Sequence, residues 1–377
     1  MSAGLRLSLF CAAIMACIGI YLPFFPVWLA ARGLSPADIG LVLAVPFLMR
    51  LLATPAAAAL ADRLGAPAQV LALASAGVLL AYGLLGIAGG FWAILAMATL
   101  LGAFQAAQLP LMDSLILARV RVRPADGLDY GRIRAWGSAS VLAGMVAGGR
   151  LAGSIEPDFI VWTLAGLAGI GALAALAMSI HVPRVRAAAA SPAGAGGLPR
   201  AAFAVIAAAA LVQASHSQLY AFATLDWQGR RFSGQFIGLA WAAGVFAEVL
   251  FFLFAARHVG GPLRLLLLGG LAAALRWVVM GAAPPAPLLL LLQSSHALSF
   301  GATHLGAVTL LDAIVPAARR AQAQGWLAAA IACSIGLATI ACGRLAPAHA
   351  YAAMAMLALC GVATGLAAAR MLRTNRE

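Results

Sequence analysis

Apolar residues fill almost the whole chain in long blocks, and each block ends at a short polar break. About 20 apolar residues in a helix are needed to cross the roughly 30 Å hydrocarbon core of a bilayer. The pattern therefore predicts an all-α membrane protein with twelve transmembrane helices. The predicted spans are residues 5–30, 39–60, 68–88, 91–118, 131–151, 159–180, 201–225, 235–256, 263–282, 288–315, 322–343 and 349–369.

The composition excludes an ordinary soluble protein. Of the 377 residues, 64% are hydrophobic and 9% are charged, whereas soluble domains carry about 25% charged residues. All 24 basic residues are arginines, and most of them lie in loops on the same side as the two termini. The positive-inside rule then predicts cytoplasmic termini in a bacterial inner membrane. The net charge of +13 serves topology and lipid contacts, so we expect no nucleic-acid partner.

Motifs for enzyme chemistry are absent from the sequence. There is no nucleotide-binding GxxxxGK[ST], no zinc-binding HExxH and no nucleophile-bearing GxSxG, and the five cysteines lack metal-ligand spacing. We expect no enzymatic activity, no cofactor and no metal. Without a nucleotide site, an ion gradient is the expected driving force for any transport.

The chain divides into two related halves. A segment rich in Pro, Gly and Ala, residues 181–200, predicts a cytoplasmic linker between six-helix bundles at 1–180 and 201–377. The stretch 34–50 matches 232–248 at an offset of 198, and "GAFQAAQLPLMD" matches "GATHLGAVTLLD" at an offset of 199. Matches in the same order indicate a duplicated unit and two pseudo-symmetric bundles.

Two membrane-embedded charged residues occupy equivalent positions when the two halves of the sequence are aligned. Arg50 of the first half lies opposite Glu248 of the second. A charge at a helix centre costs roughly 2.5–3.5 kcal/mol on insertion scales, so neither residue is expected to face lipid. We expect both to face a central polar cavity, and a structural ion pair between helices is the alternative.

Other polar groups are few, and they concentrate in the predicted tenth span. His296, Phe300 and His304 recur every four residues there and therefore share one helix face. Because histidine and a desolvated carboxylate can exchange protons near neutral pH, we expect proton coupling by a small set. That set is Glu248, Arg276, His296 and His304, with His216 as a further embedded polar group.

Acidic residues near the cytoplasmic helix ends predict a gate rather than a central site. The candidate gate residues are Asp62, Arg63, Asp113 and Asp312. Asp113 has a second interpretation, because Arg134 in the next span is placed to pair with it.

The stretches "GIYLPFFPVWLAARGLSPADIG", "DYGRIRAWGS", "IGLAWAAGVFAEVLFFLF" and "HALSFGATH" together resemble the 3-phenylpropionate transporter group of the major facilitator superfamily. "YLPFFPVWL" and "GRIRAWG" are also similar to stretches of lactose permease. The resemblance implies a major facilitator fold, alternating access, proton symport and a functional monomer. It also implies substrate-binding roles for Tyr21 and Arg134, and Glu248 matches the span-8 carboxylate of lactose permease. No acidic residue lies close to His296 along the sequence, which separates this chain from the sugar permease.

These observations predict a secondary transporter that imports a small aromatic organic acid together with protons. An aromatic carboxylate requires a cation and flat apolar walls. The alternatives are a nucleoside or oligosaccharide proton symporter, a multidrug exporter, and a non-transporting membrane assembly factor. The candidate substrate-binding residues are Tyr21, Phe24, Arg50, Gln105, Arg134, Trp136, Phe300 and His304.

Overall fold

The computed structural model describes residues 3–122, 130–154, 156–181, 197–256 and 260–374. Regular structure in these ranges is helical, without a strand. The helices are α1 (Ala3–Ala31), α2 (Pro36–Leu64), α3 (Pro67–Ile87), α4 (Gly90–Val122), α5 (Tyr130–Ser154), α6 (Asp158–His181), α7 (Arg200–Ala214), α8 (Ser217–Gly229), α9 (Gly234–Leu250), α10 (Pro262–Gly281), α11 (Ala286–Ser294), α12 (Thr303–Ile314), α13 (Arg320–Cys342) and α14 (Pro347–Thr374). Two π-helical segments, Phe251–Ala255 and Ala297–Ala302, and a 3₁₀ turn, Ala317–Arg319, complete the described elements.

These elements confirm the prediction of an all-α membrane protein. Within the described residues, eleven helical stretches are long and apolar enough to cross a bilayer. The remaining predicted span is α5, which is 25 residues long and carries Arg132, Arg134 and Arg150. Its length suits a bilayer crossing, and its arginines explain its lower hydropathy.

The chain forms two compact units. The first unit contains Met1–Ala189 and Ala223–Ala242, and the second contains Ala190–Phe222 and Ala243–Glu377. The first unit thus holds α1 to α6 together with most of α8 and the start of α9. The linker predicted over 181–200 falls mainly on residues 182–196, which lie outside the described residues. The division into bundles at 1–180 and 201–377 stays a prediction.

The turn between α1 and α2 recurs between α8 and α9, which supports the proposed duplication. Gly33 (φ 77°) and Arg231 (φ 63°) are both left-handed, and the Ser35 and Ser233 side chains accept from backbone N–H groups of the helices that follow. Four backbone hydrogen bonds repeat at an offset of 198. In the first turn the bonds run from Arg32 N to Trp28 O, Gly33 N to Ala30 O, Leu34 N to Leu29 O and Ile39 N to Ser35 O. Their counterparts in the second turn, in the same order, run from Arg230 N to Asp226 O, Arg231 N to Gln228 O, Phe232 N to Trp227 O and Ile237 N to Ser233 O.

Glycines bring α5 and α9 into backbone contact within the first unit. A methyl group built on Gly149 would lie 2.9 Å from the Cα of Gly238 and would collide with the carbonyl oxygen of Gly234. Small residues at four-residue spacing permit this close approach of helices in a membrane. The crossing therefore requires glycine at these positions.

Two predicted spans are single rods broken near their middle. The rod Arg200–Gly229 breaks at Ser215 and His216, and the rod Ala286–Ile314 breaks at Ser295 and His296. The Ser215 hydroxyl donates to Val212 O at 2.6 Å, and the Ser295 hydroxyl donates to Leu292 O at 2.7 Å. Serine hydroxyls that bond nearby backbone carbonyls compete with the helical ladder and favour such breaks.

The left-handed arginine leads to a prediction about stability. Because a left-handed conformation costs a non-glycine residue roughly 1–2 kcal/mol, Arg231→Gly should raise the free energy of unfolding by about 1 kcal/mol. The matched change Gly33→Ala in the other repeat should lower it by a similar amount. Thermal unfolding of the purified variants in detergent measures both changes. A loss of stability in Arg231→Gly would show that the arginine side chain makes a compensating contact.

Candidate functional site

A cavity of about 130 Å³ lies inside the first unit among α1, α2, α3, α4 and α6. Most of the side chains around it are apolar. Its polar lining consists of Tyr21, Arg50, Gln105 and Gln108, with the thiol of Cys17. The sequence-predicted residues Tyr21, Arg50 and Gln105 therefore meet at one cavity, although they come from three different helices.

The glutamines of the cavity are held by neighbouring side chains. Gln105 Nε2 donates to the Tyr82 hydroxyl at 3.0 Å, and Gln108 Nε2 donates to Ser75 Oγ at 3.2 Å. The Tyr21 hydroxyl is buried and has no hydrogen-bond partner among the described residues. A buried hydroxyl without a partner is costly, so this group is available to a ligand.

Arg50 is the cation of this cavity. Its guanidinium lies 5.3 Å from the ring centre of Phe47, and no carboxylate within the described ranges is at ion-pair distance from it. The side chain is exposed where it reaches the edge of the cavity. Arg50 therefore keeps its charge available for an anion.

Arg134 differs from Arg50 because it already has an acidic neighbour. Arg134 Nη1 lies 3.7 Å from Asp113 Oδ1, and the Tyr130 hydroxyl donates to the same oxygen at 3.3 Å. This geometry agrees with the interpretation that Asp113 and Arg134 pair. It leaves Arg50 as the better candidate for carboxylate binding.

A second polar cluster lies in the second unit around Arg276. This side chain is 1% exposed, and its guanidinium lies 4.7 Å from the ring centre of Trp277. Its Nη1 contacts His296 Nδ1 and donates to Ser299 Oγ, both at 3.1 Å. Its Nη2 donates to Gln293 Oε1 at 2.6 Å. The buried charge is thus held by uncharged partners from α11 and the π-helical segment.

Glu248 reaches this cluster through His296. Glu248 Oε2 lies 3.9 Å from His296 Nε2, and a methyl group built on Gly301 would lie 3.4 Å from Glu248 Cγ. The sequence analysis groups Arg276, His296 and Glu248 in one proton-coupling set. In the structure the imidazole of His296 lies between the guanidinium and the carboxylate.

His216 completes the cluster from the break between α7 and α8. Its Nδ1 is 3.1 Å from Val212 O, and its Nε2 is 3.1 Å from Ser299 Oγ. The rings of His216 and His296 lie 5.3 Å apart, and Tyr220 stacks on His216 at 5.8 Å. The two broken rods therefore meet at their breaks, as is common for polar sites in transporters.

The remaining predicted substrate residues are not among the residues that line the cavity of the first unit. Phe24 is fully buried in helix packing, where a methyl group on Gly148 would lie 2.6 Å from its ring. Trp136 is 62% exposed. Phe300 stacks on His296 at 5.1 Å and on His304 at 6.2 Å, as their four-residue spacing predicts.

Three of the four predicted gate residues, Asp62, Arg63 and Asp312, lie near helix ends, whereas Asp113 lies nine residues before the end of α4. Asp62 and Arg63 are exposed at the end of α2, which stops at Gly65 in the left-handed conformation. Asp312 Oδ1 lies 3.2 Å from Arg320 Nε, and both side chains are about half exposed. Exposed pairs of this kind add little to stability, so these positions suit a reversible contact.

The model of the MFS_1 like family matches residues 5–346. The chain belongs to this family of the major facilitator superfamily. It is therefore a multi-pass membrane transporter and not an enzyme, and the family resemblance identified from the sequence is confirmed.

Curated relatives of this MFS_1-like protein are themselves named as transporters. It is 29% identical to the "Probable 3-phenylpropionic acid transporter" of Escherichia coli (strain K12), over 78% of each chain. It is 30% identical to the maltose permease of Geobacillus stearothermophilus, over 74% of this chain and 71% of the permease. A variant of the nucleoside transporter NupG superposes with a TM-score of 0.81 at 15% identity, over 98% of this chain and 100% of that one. That likeness shows the major facilitator fold.

Sequence inspection missed Tyr82 beside the cavity of the first unit, and Gln293, Ser299 and Tyr220 in the second cluster. Gln293 and Ser299 lie three residues before and after His296, which is the helical spacing of a shared face. That spacing could have identified both residues as members of the cluster. The sequence offers no such signal for Tyr82 and Tyr220, because a tyrosine in an apolar span looks the same whether it packs against other helices or binds a ligand.

Ser299 links the two halves of the second cluster, and its hydroxyl can be removed selectively. Ser299→Ala takes an acceptor from Arg276 and a donor from His216, so the free energy of unfolding should fall by about 2 kcal/mol. Ser294→Ala is the matched control, because the Ser294 hydroxyl bonds only one turn back, to Leu290 O at 3.1 Å. Thermal unfolding in detergent compares the two. Equal stability of both variants would mean that the cluster does not hold the broken rods together.

Proposed function

We propose that this protein imports a small aromatic organic acid together with protons by alternating access in a bacterial inner membrane. The cavity of the first unit binds the substrate, and Glu248 in the second unit carries the proton. The observation that carries this proposal is the placement of Arg50. A guanidinium without a described carboxylate partner borders a mainly apolar cavity that also contains an unpartnered hydroxyl.

The chemistry of this cavity favours an aromatic acid. A guanidinium binds a carboxylate by charge-assisted hydrogen bonds, and the Tyr21 hydroxyl can donate to the same anion. The cavity of about 130 Å³ is close to the roughly 150 Å³ of an apolar protein cavity that takes up benzene. A phenyl ring therefore fits the apolar part while the carboxylate meets Arg50.

The same cavity disfavours a sugar. A disaccharide carries many hydroxyl groups, and each one buried without a partner is unfavourable. One amide N–H of Gln105 already bonds Tyr82, and one of Gln108 already bonds Ser75, which leaves few polar groups for sugar hydroxyls. The similarity to a maltose permease therefore supports the transport class more than the substrate.

Glu248 is the best candidate for the transported proton. It is a membrane-embedded carboxylate whose side chain is 19% exposed, so it can reach water while lying against His296. Embedded ionisable groups of this kind mark ion and proton pathways in transporters.

The proposed orientation puts both termini in the cytoplasm, with two six-helix bundles at 1–180 and 201–377. Asp62, Arg63 and Asp312 then lie near the cytoplasmic ends of their helices, and Asp113, also a proposed gate residue, lies deeper in α4. Asp312 and Arg320 form a surface pair at 3.2 Å, and we assign this pair to the cytoplasmic gate. The functional unit is a monomer whose partners are the substrate, protons and lipid.

Arg50→Gln tests the substrate site. Because a hydrogen-bonded charge pair contributes about 1.5–3 kcal/mol, the KM for labelled 3-phenylpropionate should rise by at least roughly tenfold. The assay is uptake into proteoliposomes with an imposed pH gradient. Arg373→Gln, at an exposed position near the end of α14, is the control and should transport like the wild type.

Neutral competitors sharpen this experiment. A phenylpropanol, which lacks the carboxylate, and maltose should both fail to inhibit uptake by the wild type. Unchanged uptake by Arg50→Gln in equal amounts of folded protein would remove Arg50 from the site. Inhibition by maltose would favour the sugar symporter.

Glu248→Gln tests proton coupling separately from binding. Glutamine keeps the size and polarity of the side chain but binds no proton, so accumulation against a gradient should be lost. Exchange of internal for external substrate should continue, because exchange requires no net proton movement. Protonophore-sensitive accumulation by Glu248→Gln would exclude Glu248 as the carrier.

A further inference from the structure

We infer that Arg276 holds His296 as a neutral ring protonated only on Nε2, and that His296 positions the Glu248 carboxylate instead of carrying the transported proton. The inference rests on the proposed role of Glu248. It assigns His296 a function different from the proton-carrying role that the sequence suggests.

The tautomer follows from the donors around the ring. A guanidinium has only donors, and its Nη1 lies 3.1 Å from His296 Nδ1. Nδ1 must therefore accept with its lone pair, and the single N–H of the neutral ring is on Nε2. That nitrogen is the one that faces Glu248 Oε2, at 3.9 Å.

Arg276 is fixed in this position by its other contacts. Nη2 donates to Gln293 Oε1 at 2.6 Å, and Nη1 also donates to Ser299 Oγ at 3.1 Å. The guanidinium is nearly inaccessible and packs over the ring of Trp277. It cannot leave Nδ1 without giving up these contacts in a buried site.

The neighbouring histidine has the opposite tautomer, and this closes the network. His216 Nδ1 faces the carbonyl of Val212, which only accepts, so the proton of His216 is on Nδ1. His216 Nε2 then accepts from the Ser299 hydroxyl, which in turn accepts from Arg276. Each of these groups has a defined role, so no second proton is required on either ring.

A second proton on His296 would have to bind Nδ1. The new N–H would then point at an N–H of Arg276, and two positive groups would meet in a buried site. The other titratable groups packed around His296 are Glu248 from α9, His216 from the break before α8 and Tyr220 from α8. Glu248 alone among them offers an anionic oxygen. The proton therefore binds a Glu248 oxygen, and the imidazole of His296 positions the carboxyl group by packing against it, with Nε2 3.9 Å from Oε2.

Two substitutions at His296 separate positioning from proton transfer. Neither glutamine nor asparagine binds a proton near neutral pH. Glutamine can place an amide N–H near the position of Nε2 and so can replace the contact with Glu248. Asparagine reaches only to the position of Nδ1 and can replace only the contact with Arg276.

The positioning role predicts different outcomes for these variants. The His296→Gln variant should keep protonophore-sensitive accumulation of substrate within about threefold of the wild type. Accumulation by His296→Asn should fall roughly tenfold or more. If His296 carries the proton, both variants will exchange substrate but neither will accumulate it, and the inference is overturned. Accumulation by Glu248→Gln would instead overturn the proposed function itself, so the two failures can be distinguished.

Nitrogen-15 NMR of the wild-type protein in lipid tests the tautomer of His296 directly and does not depend on transport by a variant. With histidine labelled on both ring nitrogens, His296 should show an unprotonated Nδ1 and a protonated Nε2 at pH 7. His216 should show the reverse pattern. Comparison with the spectrum of His296→Gln assigns the signals. A protonated Nδ1 on His296 would contradict the inference even if every variant transported normally.

Discussion

The buried guanidinium of Arg276 sets the main constraint on the second unit. An ionised group in a low-dielectric interior needs its donors satisfied, because unpaired donors and an unpaired charge are both costly there. A continuous apolar helix offers no acceptors for such a group. The hydrogen-bond partners of Arg276 are Gln293, His296 and Ser299, all on the rod interrupted at Ser295. The rod interrupted at Ser215 reaches the cluster through His216, whose Nε2 lies 3.1 Å from Ser299 Oγ. The helix breaks and the polar cluster therefore depend on each other, because the cluster forms where the two broken rods meet.

The first unit handles its embedded arginine differently. Arg50 contacts the Phe47 ring at 5.3 Å and borders a cavity, and it is not enclosed by neutral acceptors. A cation whose two Nη groups are held by internal partners, like Arg276, has little left to offer a ligand. A cation at the edge of an apolar cavity retains its binding capacity. The contrast between these two arginines supports dividing substrate binding and proton coupling between the two units.

The sequence predicted those features that depend on hydropathy and on repetition. The spans follow from the length of apolar runs, and the offset of 198 recurs in the backbone hydrogen bonds of the turns at Gly33 and Arg231. The helix breaks were not predictable in this way, because hydropathy averages over Ser215 and Ser295. Nor can a span pattern tell Phe24, which packs against Gly148, from Tyr21, which reaches the cavity. That difference depends on the rotation of α1 against its neighbours.

The placement of His296 supports the proposed proton coupling in a way that a direct Arg276 to Glu248 pair would not. A direct pair would stabilise the carboxylate by full charge contact and would make protonation unfavourable in a buried site. The intervening imidazole, neutral in the proposed arrangement, separates the positive charge of Arg276 from the carboxylate, whose Oε2 lies 3.9 Å from His296 Nε2. Protonation of Glu248 is then not opposed by an ion pair at contact distance. The role proposed for Glu248, which is to gain and lose a proton in each transport cycle, requires this separation.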